Sequence, residues 1–131
     1  MSERLNNSEK KKVLVVEDSS AIQTLAKSIL EFQKYNVYSA RNGNEALALF
    51  SKNEYDIILM DINMPEMDGM SCVKEIRAMK DKKKSEIPII AITGNAEGYT
   101  LEEFTKTGFN DCFEKPINFD ELLISMDRSI R

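Results

Sequence analysis

Histidine is absent from the 131-residue chain, and cysteine occurs only twice. The absence of histidine excludes any mechanism in which this chain itself supplies a histidine as general base, phosphate carrier or zinc ligand. The two cysteines, Cys72 and Cys112, are not spaced as a metal-binding pair. We therefore expect reduced thiols rather than a disulfide framework.

Long apolar runs are also missing from the sequence. None approaches the roughly 20 residues that a membrane helix requires, and the first residues lack the apolar segment of a secretion signal. We therefore expect a cytoplasmic protein without a membrane partner. The net charge of −4 has the wrong sign for general nucleic-acid binding. The length suits one domain, with a polar tail over residues 1–11 and the folded domain over residues 12–131.

Short apolar runs alternate five times with helical patterns along the chain. The runs predict strands, and apolar residues at three- and four-residue spacing between them predict helices. Such alternation indicates an α/β fold in which a parallel sheet is covered by helices on both faces. The lysine-rich residues 80–85 are expected to form a charged connection. These lysines and those at positions 10–12 are interpreted as a solvated basic edge rather than a nucleic-acid surface.

Asp61 directly follows the apolar run of residues 57–60, where it is aimed from a buried strand into a loop. Taken alone, an aspartate at this place is also typical of a turn. In a parallel sheet, however, every loop from a strand to the next helix leaves from the same edge. That edge is therefore expected to gather Asp61 with Glu17, Asp18, Thr93 and Lys115.

Three carboxylates, a hydroxyl and an ammonium group at one edge form a specific set. Neighbouring carboxylates repel one another unless a cation neutralises them, and oxygen ligands suit a hard divalent ion such as Mg²⁺ or Mn²⁺. Asp61 can act as a nucleophile on phosphorus, while Lys115 and Thr93 can supply charge and a hydrogen bond to the phosphoryl oxygens. The product would be an aspartyl phosphate.

Four segments resemble, in the correct order, the signature segments of the response-regulator receiver domain of two-component signalling. They are VVED at residues 15–18, MDINMPEMDG at 60–69, IIAITG at 89–94 and KP at 115–116. The resemblance covers residues 12–131. It implies a flavodoxin-like (βα)5 three-layer sandwich with a parallel five-stranded sheet in the order 2-1-3-4-5.

The resemblance also implies roles for individual residues. Asp61 would be the phosphoacceptor, and Glu17, Asp18, Asp61 and the backbone carbonyl of Asn63 would hold Mg²⁺. Many receivers carry two aspartates where this chain has Glu17 and Asp18. Asn63 and Asn95, each two residues past a site residue, are expected to influence the lifetime of the phosphate.

The resemblance implies that Thr93 supplies the switch hydroxyl and that Lys115 is the phosphate-binding lysine. The peptide bond between Lys115 and Pro116 is expected to be cis, in a turn that aims the lysine inward. Three residues before the lysine, many receivers have a tyrosine or phenylalanine, but this chain has Cys112. Phe113 should point to the other face of the strand, because side chains alternate.

We therefore expect a phosphorylation-dependent signalling switch that is not a turnover enzyme. A phosphohistidine of a partner histidine kinase or phosphotransfer protein would phosphorylate Asp61. The modification would then change the binding of a downstream protein to the face formed by the fourth helix, fifth strand and fifth helix. The chain would be a stand-alone receiver or a receiver from a hybrid kinase.

Two alternatives remain open at this level. A pseudo-receiver would bind partners without phosphate, which is favoured only by Cys112 at the usual aromatic position. An Mg²⁺-dependent phosphohydrolase with an aspartate nucleophile commonly needs a second aspartate two residues after the first, and this chain has Asn63 there. We expect no direct binding of nucleic acid.

Overall fold

The predicted strands form one parallel sheet in the computed structural model, which describes residues 10–63, 68–94 and 100–130. The strands are β1 Lys12–Val16, β2 Asn36–Ala40, β3 Ile57–Asp61, β4 Ile89–Thr93 and β5 Asp111–Glu114. Their order is β2-β1-β3-β4-β5, and every neighbouring pair is parallel. The predicted fold class and strand order are confirmed.

The described residues contain six helices, of which the first five lie between strands and the last follows β5: α1 Ser20–Phe32, α2 Gly43–Lys52, α3 Gly69–Arg77, α4 Lys82–Ser85, α5 Leu101–Thr107 and α6 Phe119–Ile130. Side-chain caps fix where several of them begin. The Ser19 hydroxyl accepts from the N–H of Ile22 at 3.3 Å, and the Asn118 side chain accepts from the N–H of Glu121 at 3.1 Å. Within the described ranges, no helix is long and apolar enough to cross a membrane.

Two apolar cores lie on the two faces of the sheet. One face packs against α2, α3 and α5, and the other against α1 and α6. Residues 57–61 of β3 and 89–93 of β4 are buried along their whole length, as expected for the central strands of a doubly covered parallel sheet. The sheet therefore holds the carboxyl ends of its strands on a rigid base.

The charged connection predicted between α3 and β4 contains the one-turn helix α4. The Asp81 side chain caps it by accepting from the N–H groups of Lys83 at 3.0 Å and Lys84 at 3.4 Å. The Lys84 ammonium donates to the carbonyls of Phe50 at 2.6 Å and Asn53 at 2.7 Å. The one-turn helix was not predicted, because tertiary contacts stabilise a turn too short to show a helical period. The helices predicted as fourth and fifth are α5 and α6.

Other lysines of α4 face acidic side chains at the protein surface. The Lys83 ammonium lies 3.2 Å from a Glu54 oxygen, and the Lys82 ammonium lies 4.0 Å from a Glu86 oxygen. Exposed pairs of this kind contribute about 1 kcal/mol or less. They nevertheless show that negative charges are interleaved with these lysines.

Candidate functional site

The loops that follow β1 and β3 bring three carboxylates together at one sheet edge. One oxygen each from Glu17, Asp18 and Asp61 lies within 4.8 Å of the others. Glu17 and Asp61 are buried, with 3% and 1% of their surface exposed, whereas Asp18 is exposed. The cluster therefore has a buried base and a side that is open to solvent.

Lys115 reaches this cluster from the end of β5. Its ammonium lies 3.1 Å from Glu17 Oε1 and 3.4 Å from Asp61 Oδ2. Its backbone N–H donates to the carbonyl of Thr93 at 2.8 Å, which ties the end of β4 to the lysine. The peptide bond between Lys115 and Pro116 is cis, and the Thr93 side chain is fully buried at the same edge.

The electrostatics follow from this crowding. Burial raises the pKa of Glu17, and the charge of Asp61 raises it further, although hydrogen bonds from Ser19 and Lys115 oppose both effects. Burial alone would lower the pKa of Lys115, but its contacts with Glu17 and Asp61 outweigh burial and raise that pKa. The lysine is therefore held as a cation beside carboxylates that repel one another.

The position of Asp61 depends on a close contact between the β3 loop and α3. Asp61 Oδ1 accepts from the N–H of Asn63 at 3.0 Å, and the N–H of Gly69 donates to the Ile62 carbonyl at 3.3 Å. A Cβ atom at Gly69 would lie 2.7 Å from Ile62 Cα and 2.8 Å from the Asp61 carbonyl. Only glycine permits this approach without a shift of the backbone that carries Asp61.

The loop after β1 contains two contacts that the sequence interpretation missed. The N–H of Ser19 donates to Glu17 Oε2 at 3.0 Å, and the side-chain amide of Gln23 donates to backbone carbonyls around the end of β1. A signal was available for Gln23: it lies three and seven residues before the buried Ala26 and Leu30, so a polar side chain stands on the buried face of α1.

The arrangement fits a hard divalent cation. Mg²⁺ binds oxygen at about 2.1 Å, which puts ligands on opposite sides of one ion about 4.2 Å apart. The carboxylate oxygens of Glu17, Asp18 and Asp61 are already within 4.8 Å of one another. Once Lys115 is counted, two negative charges remain to be neutralised, which agrees with a divalent ion.

The remaining predicted residues occupy different places. Asn63 is exposed beside Asp61, and Asn95 lies outside the described residues. Cys112 pairs with Ala91 and packs in the core that includes α5, whereas Phe113 packs in the core that includes α1 and α6. The prediction that Phe113 points to the opposite face is confirmed.

A comparison with known families shows the family to which the chain belongs. The sequence model of the response regulator receiver domain matches residues 13–127, which is most of the chain. The chain belongs to the response regulator receiver domain family. The receiver is thus a phosphorylation-dependent signalling switch, and the family is one of signalling modules rather than of typical turnover enzymes.

Several curated relatives are similar to this receiver. It is 37% identical to the CAI-1 autoinducer sensor kinase/phosphatase CqsS of Vibrio cholerae over 113 residues, which are 86% of this chain and 16% of the relative. It is 33% identical to the regulatory protein AtoC of Escherichia coli over 120 residues, which are 92% of this chain and 25% of the relative. The receiver thus spans only about a sixth to a quarter of these relatives.

Solved receiver structures have the same fold. The receiver domain of the sensor histidine kinase PA1611 from Pseudomonas aeruginosa is 35% identical, with a TM-score of 0.83, and the match covers 92% of this chain and 98% of that one. That structure has a magnesium ion coordinated in its active-site cleft. In the described part of the present receiver, Glu17, Asp18 and Asp61 form a group that could hold a metal ion.

Proposed function

We propose that Asp61 accepts a phosphoryl group from a phosphohistidine of a partner histidine kinase or phosphotransfer protein. The observation that carries this proposal is the buried Asp61 carboxylate, which ends β3 with the Lys115 ammonium 3.4 Å away. The 131 residues contain no histidine, so a phosphohistidine donor lies outside them. The similarity to receivers of sensor kinases supports this class of donor.

In the transfer, a carboxylate oxygen of Asp61 forms a bond to phosphorus while the bond from phosphorus to the donor's imidazole nitrogen breaks. The electron pair of that bond stays with the imidazole. The Lys115 ammonium offers positive charge to the phosphoryl oxygens, and the Thr93 hydroxyl offers a hydrogen bond. Both groups come from strand ends that are fixed to each other through the backbone bond from Lys115 to Thr93.

The metal ligands proposed for this step are Glu17, Asp18, Asp61 and the backbone carbonyl of Asn63. These groups would hold Mg²⁺, or Mn²⁺ in its place, which would supply positive charge to neutralise the carboxylates and the incoming phosphoryl oxygens. The proximity of the three carboxylates supports this assignment. The burial of Glu17 and Asp61 strengthens it, because a cation is attracted more strongly where water is excluded.

The product is proposed to persist as a signal rather than to turn over rapidly. Asn63 stands where the phosphohydrolase alternative would need an acid/base aspartate, and no histidine of this chain can activate water. Slow hydrolysis by the receiver itself would then end the signal. Asn63 and Asn95 are proposed to modulate the phosphate lifetime.

Phosphorylation is proposed to act on the surface of α5, β5 and α6, to which a downstream protein would bind. Complete reversal of a two-state switch requires a preference of roughly 5 kcal/mol, which the new charge beside Thr93 and Lys115 would have to supply. Cys112 stands where many receivers have an aromatic residue, and this difference is proposed to change how phosphorylation affects that surface. The presence of Cys112 at this position is also the one observation that favours a pseudo-receiver.

The tail over residues 1–11 and the cytoplasmic location stay predictions, and direct nucleic-acid binding is not proposed.

Mass spectrometry of the intact protein tests the proposal. The wild type is incubated with Mg²⁺ and a small phosphodonor and compared with Asp61→Asn. Asp68→Asn is the matched control, because Asp68 is exposed in the same loop and caps α3 through its side-chain oxygen, which asparagine retains. We expect one phosphoryl group on the wild type and on Asp68→Asn, and none on Asp61→Asn.

Chelation of the metal should abolish the uptake in every variant that shows it. The proposal is wrong if the wild type gains no phosphoryl group, which is the outcome that a pseudo-receiver predicts, or if Asp61→Asn still gains one. Rapid catalytic hydrolysis of many small donors would favour the phosphohydrolase instead.

A further inference from the structure

Gln23 lies in the first turns of α1, and its side-chain amide reaches the end of β1. The amide nitrogen is 3.0 Å from the carbonyl oxygen of Val15, 3.0 Å from that of Glu17 and 2.9 Å from that of Ala40. Two amide hydrogens serve three acceptors, so one hydrogen is shared. A reversed amide would place its oxygen against all three carbonyls, which fixes the orientation of the group.

The three carbonyls belong to the ends of two adjacent strands. Val15 lies in β1, Ala40 ends β2, and Glu17 directly follows β1. The N–H of Glu17 also donates to the Ala40 carbonyl at 3.0 Å. Gln23 therefore supports the same backbone junction that Glu17 uses to attach itself to β2.

The oxygen atom of the Gln23 amide is less well satisfied than its nitrogen. Among the residues that the structure describes, Gln23 Oε1 is buried and has no hydrogen-bonding partner. A buried acceptor without a partner lowers stability. The side chain thus donates to the backbone around the end of β1, while its own oxygen is left without a partner.

We infer that Gln23 is a positioning residue of the metal site, which holds the backbone of Glu17 so that the carboxylates of Glu17 and Asp18 stay beside Asp61. The inference rests on the proposed function, in which these three carboxylates bind Mg²⁺. The donors of Gln23 are all used on backbone carbonyls, so it acts through the loop and not on the metal or on the phosphoryl group. Its loss should therefore weaken cation binding without changing the chemistry at Asp61.

The variant that tests this is Gln23→Met, which keeps the length of the side chain and removes its donors. Gln33→Met is the matched control, because Gln33 is exposed just after the end of the same helix. Metal-free proteins are titrated with Mg²⁺ by calorimetry. We expect the dissociation constant of Gln23→Met to rise about tenfold, the lower end of the effect of groups that orient metal ligands. That of Gln33→Met should match the wild type.

Amide hydrogen exchange of the metal-free protein locates the effect. In Gln23→Met the N–H of Glu17 should exchange faster, whereas the N–H of Phe113 in β5 should keep its wild-type rate. Phosphoryl uptake from a small donor should need about tenfold more Mg²⁺ for half-maximal rate. Its rate at saturating Mg²⁺ should equal that of the wild type.

The inference fails if Gln23→Met binds Mg²⁺ as tightly as Gln33→Met. It also fails if exchange rises throughout the sheet and saturating Mg²⁺ does not restore the rate, because Gln23 would then only stabilise the fold. Absence of Mg²⁺ binding by the wild type would overturn both proposals. If the wild type binds Mg²⁺ but gains no phosphoryl group, the proposed function fails and the binding curves still decide the role of Gln23.

Discussion

Arg77, the last residue of α3, ties α3 to the connection before β4 and to the loop between α5 and β5, at the sheet edge opposite the acidic site. Its guanidinium donates to the Gly108 carbonyl through Nε at 3.0 Å and Nη2 at 2.6 Å. It donates through Nη1 to the carbonyls of Ser85 at 2.8 Å and Ile87 at 2.7 Å, and through Nη2 to Asn110 Oδ1 at 3.2 Å. Arg77→Ala therefore removes five hydrogen bonds at once.

The magnitude follows from the acceptors that lose their donor. An unsatisfied buried acceptor costs about 1–3 kcal/mol, and the lower end applies because Arg77 is only half-buried and water can enter. Three backbone carbonyls at about 1 kcal/mol each predict a loss of about 3 kcal/mol in the free energy of unfolding. A domain with roughly 5–15 kcal/mol of stability would remain folded but lose a large share of it. Burial lowers the pKa of Arg77, but the guanidinium keeps its charge at neutral pH.

Urea denaturation followed by circular dichroism measures this loss. The midpoint should fall while the slope stays unchanged, which indicates a change of stability rather than of the unfolded state. Arg41→Ala is the matched control, because Arg41 is exposed and should change stability by less than about 0.5 kcal/mol. If Arg77→Ala costs no more than Arg41→Ala, the hydrogen-bond reasoning is refuted.

Gly108 provides an independent check of the same contact. Its φ is 128°, and a Cβ atom there would lie 2.9 Å from Arg77 Cγ and 3.0 Å from Arg77 Nε. Gly108→Ala in the wild type therefore adds a collision to backbone strain, whereas in Arg77→Ala only the strain remains. We expect the substitution to cost less in the Arg77→Ala background, and strictly additive costs in the double-mutant cycle would contradict this.

Two further predictions concern packing and the thiols. Gly69→Ala should lower stability by about 1–3 kcal/mol, because its Cβ would lie 2.7 Å from Ile62 Cα. Gly94→Ala is the control in denaturation experiments, since the nearest atom of the described residues to its Cβ would be 3.9 Å away. Burial raises the pKa of Cys72 to about 12 and of Cys112 to about 11. Alkylation of the native protein by iodoacetamide should therefore be slow at pH 8 and become faster up to about pH 11. A rate that stops rising near pH 9 would contradict this. Unfolded thiols ionise near pH 8.5, so the native state binds more protons above that pH and stability should fall as pH rises further.

Much of the site could be predicted because parallel topology makes sequence separation irrelevant at the sheet edge. Asp61 and Lys115 are 54 positions apart, yet Asp61 ends β3 and Lys115 directly follows β5, and the carboxyl ends of parallel strands lie at the same edge. Residue type then limits the chemistry, since carboxylates and an ammonium group in contact indicate cation and phosphate binding. The strand order followed from the resemblance and not from the alternation of helices and strands alone.

The missed features depend on contacts that a local pattern does not contain. Helix α4 is held by the Asp81 cap and by the reach of Lys84 to the end of α2, neither of which alters the period of its own sequence. Gln23 and Arg77 are polar residues that donate mainly to backbone carbonyls. Every residue has a carbonyl, so sequence does not indicate which carbonyls these side chains will meet.

The opposite edges of the β4 and β5 pair are held by different kinds of interaction. At the start of the strands, Asn110 Oδ1 accepts from both Arg77 and the N–H of Ile89. These groups take no part in the proposed chemistry. At the carboxyl ends, the Lys115 ammonium is shared with Asp61, and a phosphoryl group on Asp61 would compete for it. Phosphorylation should therefore rearrange contacts at the carboxyl edge while the Arg77 edge stays fixed. It follows that Arg77→Ala should reduce stability without weakening Mg²⁺ binding, whereas changes around Glu17 should weaken Mg²⁺ binding.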